Sequence, residues 1–76
     1  MMKKFPVIDM LETGKNIVYL RKQKGLSVLD LQGYFGFEAP QAIYKWQRGE
    51  SLPTIDNLIA LSSLLDVKVE EILILK

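Results

Sequence analysis

Pro40-Gln41-Ala42-Ile43-Tyr44-Lys45-Trp46-Gln47-Arg48-Gly49-Glu50-Ser51-Leu52-Pro53-Thr54 lays out a short helix with two opposed faces. Ile43, Trp46 and Gln47 are spaced i, i+3, i+4 and share one face, which can dock on a core. Gln41, Tyr44, Lys45 and Arg48 are spaced i, i+3, i+4, i+7 and form another. Pro40 is expected at the first helical position, where its missing N–H is no loss. Ala39, kept out of the helical region by that proline, then takes the cap position with no side chain to cap with. Gly49 ends the helix, and Leu52-Pro53 leads to Thr54, a good N-cap for the next one. The polar face offers an amide that can bond adenine bidentately, a cation for guanine or phosphate, an aromatic edge and a phosphate-binding guanidinium. Every surface helix also has a polar side, so the face alone fits both readings.

Working outward, helical periodicity alternates with punctuation, and no stretch alternates like a strand. A first helix is expected over 10–24, capped by Asp9. Met10, Thr13, Ile17 and Leu20 lie on its inner face, and Gly14 weakens its start. Gly25 can take the left-handed conformation just past it. A second helix follows Ser27, with Asp30 completing a capping-box-like pair and Leu26 and Leu31 forming a staple. It carries Leu31 and Phe35 inward and stops at Gly36. A short connection containing glycine joins it to the helix of Ile43 and Trp46, which is helix-turn-helix geometry. Gly33-Tyr34-Phe35-Gly36 spells a GxxG loop, but a KH loop needs a sheet-containing domain, which this chain does not offer. The fourth helix, 55–65, is apolar around much of its circumference and is expected to be the central packing element. The fifth is expected over 69–74, with Glu70 and Glu71 in its first turn, where the macrodipole favours them.

Composition narrows the function. The 76 residues suit one domain (1–76, a 1–9 arm and a 10–74 five-helix core). They include no cysteine and no histidine, which removes disulfides, Ser-His-Asp and Cys-His machinery, and thiolate or imidazole zinc sites. No enzyme activity, cofactor, metal or small-molecule ligand is expected. The longest uncharged run, Asn57 to Leu65, is nine residues, far below the ~18 that a membrane span needs. Without a secretory signal at the start, a cytoplasmic location is the expectation. The net charge of +1 is asymmetric: residues 1–48 carry eight Lys/Arg against four Asp/Glu, and residues 49–76 two against five. A basic amino-terminal part facing a polyanion is one reading, and an ordinary solvated surface the other.

Residues Ile17 to Ile74 resemble the Cro/phage-repressor-type (Xre-like) helix-turn-helix domain of bacterial transcriptional regulators. The matching text is Ile17, Leu20-Arg21-Lys22, Lys24-Gly25-Leu26-Ser27, Leu31, Phe35-Gly36-Phe37 and Gln41 through Gly49. It continues with Leu52-Pro53-Thr54, Leu58, Leu61, Leu64-Leu65 and Val67-Lys68-Val69-Glu70-Glu71-Ile72-Leu73. The resemblance implies an all-α, five-helix, lambda-repressor-like domain whose second and third helices form the DNA-binding pair, the third lying in the major groove. Carried over, it makes Gln41, Ala42 and Lys45 base-reading or groove-facing, sets Arg48 on the DNA backbone and Ser27 close to phosphate. Pro40 falls where many members place a polar reader, and offers only apolar contact there. Tyr44 reads as a DNA contact or as plain surface, and Trp46 as a core anchor.

Four positions depart from the pattern. Val28 stands where the family usually has a phosphate-contacting Gln. Gln32 replaces a small Ala that lets the two helices approach, with Gly33 beside it as a candidate for compensation. The connection from Gly36 to Ile43 is one residue longer than usual. Gln47 replaces a Glu that pairs with the Arg at position 21, so only a charged–neutral hydrogen bond is expected.

The sequence therefore implies sequence-specific binding of double-stranded DNA by a homodimeric transcriptional regulator of repressor type. The alternative is a protein-interaction or antitoxin-like module on the same scaffold. Phe5, Val7 and Ile8 are expected to pack on the core as an extended arm or to seek a partner chain. Ile72-Leu73-Ile74-Leu75 makes an apolar end that a short helix cannot hide, which is a candidate dimer contact.

Overall fold

The computed structural model describes residues 3–76, and within them the fold is all-α. Five helices follow in order: α1 (Met10–Gln23), α2 (Val28–Phe35), α3 (Gln41–Arg48), α4 (Ile55–Leu65) and α5 (Val69–Ile72). Side chains start three of them as the sequence indicates. Asp9 accepts the Glu12 N–H at 3.0 Å, Thr54 accepts that of Asn57 at 3.3 Å, and Ser27 and Asp30 close a reciprocal capping box.

Three boundaries differ from expectation. α1 closes at Gln23, with Lys24 as its C-cap. Pro40 is the N-cap of α3 rather than its first residue, because its φ of −85° and ψ of 3° already depart from the helix. Its carbonyl still accepts the Tyr44 N–H at 3.1 Å, so the prolyl unit starts the ladder without belonging to it. α5 ends at Ile72, and Leu73 turns to extended backbone. The cause is a competing partner: the Ile74 N–H donates to Thr13 Oγ1 at 2.9 Å, and the Asp9 N–H donates to the Ile74 carbonyl at 2.7 Å.

These bonds tie the two ends of the described chain together. Ile8 and Leu75 form an isolated antiparallel bridge, and the Lys76 N–H donates to the Val7 carbonyl at 2.8 Å. Asn16 donates to the carbonyls of Glu71 and Ile72 at 2.8 and 3.0 Å, satisfying the exposed end of α5. Thr13, fully buried between α1 and this segment, is the polar residue the clasp depends on.

The core consists of Ile17, Leu31, Ile43, Trp46, Leu61, Leu65 and Ile72, with Leu20, Leu26, Val28, Phe35, Phe37, Leu58 and Leu64 packed against it. α1 packs against both α3 and α5, α2 against α3, and α4 against α5. α4 does not hold the central place its apolar sequence suggests, since Ile55 and Ile59 face solvent at 76% and 56% exposure. Only its Leu61 and Leu65 stripe is buried.

Candidate nucleic-acid interface

α3 is fixed from below by three kinds of contact. Ile43 and Trp46 are buried, and the Trp46 ring meets Phe35 and Phe37 edge-on at 5.4 and 6.0 Å. Arg21 of α1 donates from Nε to Gln47 Oε1 at 3.1 Å and from Nη1 to the Leu26 carbonyl at 2.8 Å. The expected charged–neutral bond is therefore present, and it couples α1, the α1–α2 connection and α3 through one guanidinium. Gly14 supplies the third contact. A Cβ there would stand 2.5 Å from the carbonyl oxygens of both Trp46 and Gln47.

The α2–α3 connection is set by Gly36, whose φ of +70° a side chain resists. Gln32 folds back over this turn and donates from Nε2 to the Phe37 carbonyl at 3.3 Å. Gly33 plays no part in bringing the helices together, since a Cβ there would meet nothing within 4 Å. The accommodation expected of it is instead made by Gln32 lying along the turn.

With the inner face docked, the outer face is presented. Gln41, Tyr44, Lys45 and Arg48 are all exposed along α3, opposite Ile43 and Trp46. Ala42 is half-buried and packs against the core, so it flanks this face rather than standing on it. Pro40 is half-buried at the helix entry. Ser27 stands apart, at the amino end of α2. Its hydroxyl oxygen accepts the Asp30 N–H at 3.0 Å, and its own N–H donates to Asp30 Oδ2 at 2.8 Å. The Ser27 backbone N–H foremost, and its hydroxyl second, hold the Asp30 carboxyl below its ordinary range, so a negative charge sits beside Ser27.

The two cations of the face differ. Among the described residues Lys45 has no carboxylate partner, while Arg48 Nε is paired with the Glu50 carboxylate. The Arg48 hydrogen bond, reinforced by the charges of Arg48 and Lys45, keeps the Glu50 carboxyl below its ordinary range. Glu50 lies outside the periodic pattern that marks the face of α3 in the sequence. Its one signal there is an acidic residue directly after the glycine that ends a cationic helix. Among the described residues no group of three acidic side chains lies close enough to hold a metal ion, and no helix is long and apolar enough to cross a membrane.

Comparison with known proteins places this geometry. A family model described as helix-turn-helix matches residues 17–72. The restriction-modification controller protein C.AhdI from Aeromonas hydrophila is 26% identical, with a TM-score of 0.74 over 84% of this chain and 96% of that one. The DNA-binding domain of BldD from S. venezulae shares the fold at 23% identity, with a TM-score of 0.71 over 86% of this chain and 96% of that one. No curated protein sequence matches the chain. The architecture is the lambda-repressor-like one, with α2 and α3 as the helix-turn-helix pair.

Proposed function

This chain belongs to the helix-turn-helix family of Cro/phage-repressor type, and from that membership we propose that it is a transcriptional regulator that binds double-stranded DNA. The observation that carries this reading is the division of α3: Ile43 and Trp46 are locked into the core while Gln41, Tyr44, Lys45 and Arg48 stand in solvent. A helix held so firmly presents its outer side chains to a major groove at a fixed angle. The similarity to a restriction-modification controller protein supports the same class.

In this reading α3 enters the major groove. Gln41, in the first turn, reaches base edges, and Lys45 meets a base or a phosphate one turn later. Pro40, Ala42 and Tyr44 supply apolar contact such as a thymine methyl takes, while Arg48 and Ser27 meet phosphate. A single module of this size buries little DNA surface, so the protein acts as a homodimer on a pseudo-palindromic site in the cytoplasm, as a repressor without catalysis or cofactor. The exposed Phe5, Val7 and Leu75 at the joined chain ends are the dimer contact it would use. One observation favours an interaction or antitoxin-like module instead: the Arg48 guanidinium is already engaged by Glu50.

Binding to a generic duplex across a salt series separates the two. DNA binding gives an affinity that falls steeply as salt rises, whereas an interaction module gives no salt-dependent retention.

A further inference from the structure

Glu50 follows Gly49 directly after α3, and its backbone N–H donates to the Lys45 carbonyl at 2.9 Å. That bond fixes the residue over the carboxy end of α3. Its carboxylate engages Arg48 Nε, and the two side chains are 51% and 57% exposed, so solvent and any approaching anion reach both. A carboxylate is thereby built into a surface otherwise made of Lys45, Arg48, Gln41 and Tyr44.

On a face that meets DNA, this placement has one consequence. Affinity for duplex of any sequence comes from cations that neutralise phosphates and release counterions. Arg48 can pair with a phosphate only by leaving Glu50, and the vacated carboxylate then lies in the field of the DNA and gathers a cation of its own. We propose that Glu50 is an affinity-setting residue, competing with DNA phosphate for Arg48 and holding down binding to every duplex. The inference rests on the reading of this face as the DNA-binding one.

The experiment is a double-mutant cycle on the full chain, read by fluorescence anisotropy on a generic duplex across a salt series. Glu50→Gln and Glu50→Ala should each tighten binding several-fold and steepen the salt slope by roughly one. Circular dichroism should show the fold of each variant unchanged, because the Glu50 side chain is exposed and its bond to the Lys45 carbonyl is made by the backbone. In an Arg48→Ala background the gain should shrink severalfold, because only the direct repulsion between carboxylate and phosphate is left to relieve. A gain as large there as in the wild type, or no gain at all while the wild type binds, overturns the inference and leaves the DNA-binding reading standing. If neither the wild type nor either Glu50 variant binds duplex at low salt, that reading falls and this inference with it.

Discussion

Gly14 of α1 lies directly against the carbonyl of Trp46, close enough that a methyl group on its Cα would come within 2.5 Å of that oxygen. The Gln47 carbonyl stands equally near. Neither neighbour is a flexible side-chain end, so the contact between α1 and α3 is backbone against backbone, and it sets the seat on which the outer face of α3 is presented.

Gly14→Ala should therefore destabilise the protein although alanine is the better helix former. Overpacking of this kind costs about 1–3 kcal/mol net, read as a lower urea midpoint at unchanged slope. A gain in stability would show that α3 does not sit where the fold requires.

Gly33→Ala is the matched control on the other helix of the pair. Space is open there and its φ is not positive, so only the helix propensity changes. Stability should rise by about 0.5–1 kcal/mol, with DNA binding unaltered.

This contrast shows what was legible in the sequence and what was not. The order of helices, the caps at Asp9, Ser27 and Thr54, and the burial of Ile43 and Trp46 follow from spacing and local chemistry, which the chain carries within a few residues. The roles of Gly14 and Gly33 came out reversed because close approach is a property of two segments distant in sequence. The end of α5 was missed for the same reason. Thr13 and Asp9, more than sixty residues earlier, supply the partners that draw Ile74 out of the helix. α4 reads as central because seven of its eleven residues are apolar, yet only the stripe facing the core finds cover. At the candidate interface, the exposed face of α3 was visible as a periodic pattern, whereas Glu50 lies outside the helix and enters it only through a turn.

The capping box at the start of α2 gives a pH dependence. Asp30 is held below the ordinary carboxylate range in the folded protein, so its contribution is complete above the unfolded-state value. It is lost as pH falls through the lower folded-state value. Wild-type stability should thus decline in that acid window more than stability of Asp30→Asn, whose midpoint is already reduced at neutral pH. Ser27→Ala, which removes the acceptor for the Asp30 N–H, should cost about 1 kcal/mol. Equal acid sensitivity of the wild type and Asp30→Asn would contradict the assignment.

On α3, holding and reading should separate. Arg48→Ala should weaken binding about equally on all sequences and lower the salt slope by up to roughly one. Gln41→Ala should cost about 1–3 kcal/mol on the preferred site and little on random duplex, relaxing one base pair. The salt slope of Lys45→Ala assigns that residue to base or phosphate. Trp46→Ala should unfold the domain, at a cost of about 3–5 kcal/mol, instead of changing preference.

Whether the outer face of α3 meets duplex DNA is decided by amide chemical-shift mapping of the labelled protein titrated with duplex at low salt. Groove binding by α3 gives perturbations concentrated at Ser27 and along residues 41–50, fading as salt is raised. Absence of any perturbation, or perturbations gathered on the exposed Ile55 and Ile59 side of α4 with α3 silent, would contradict it.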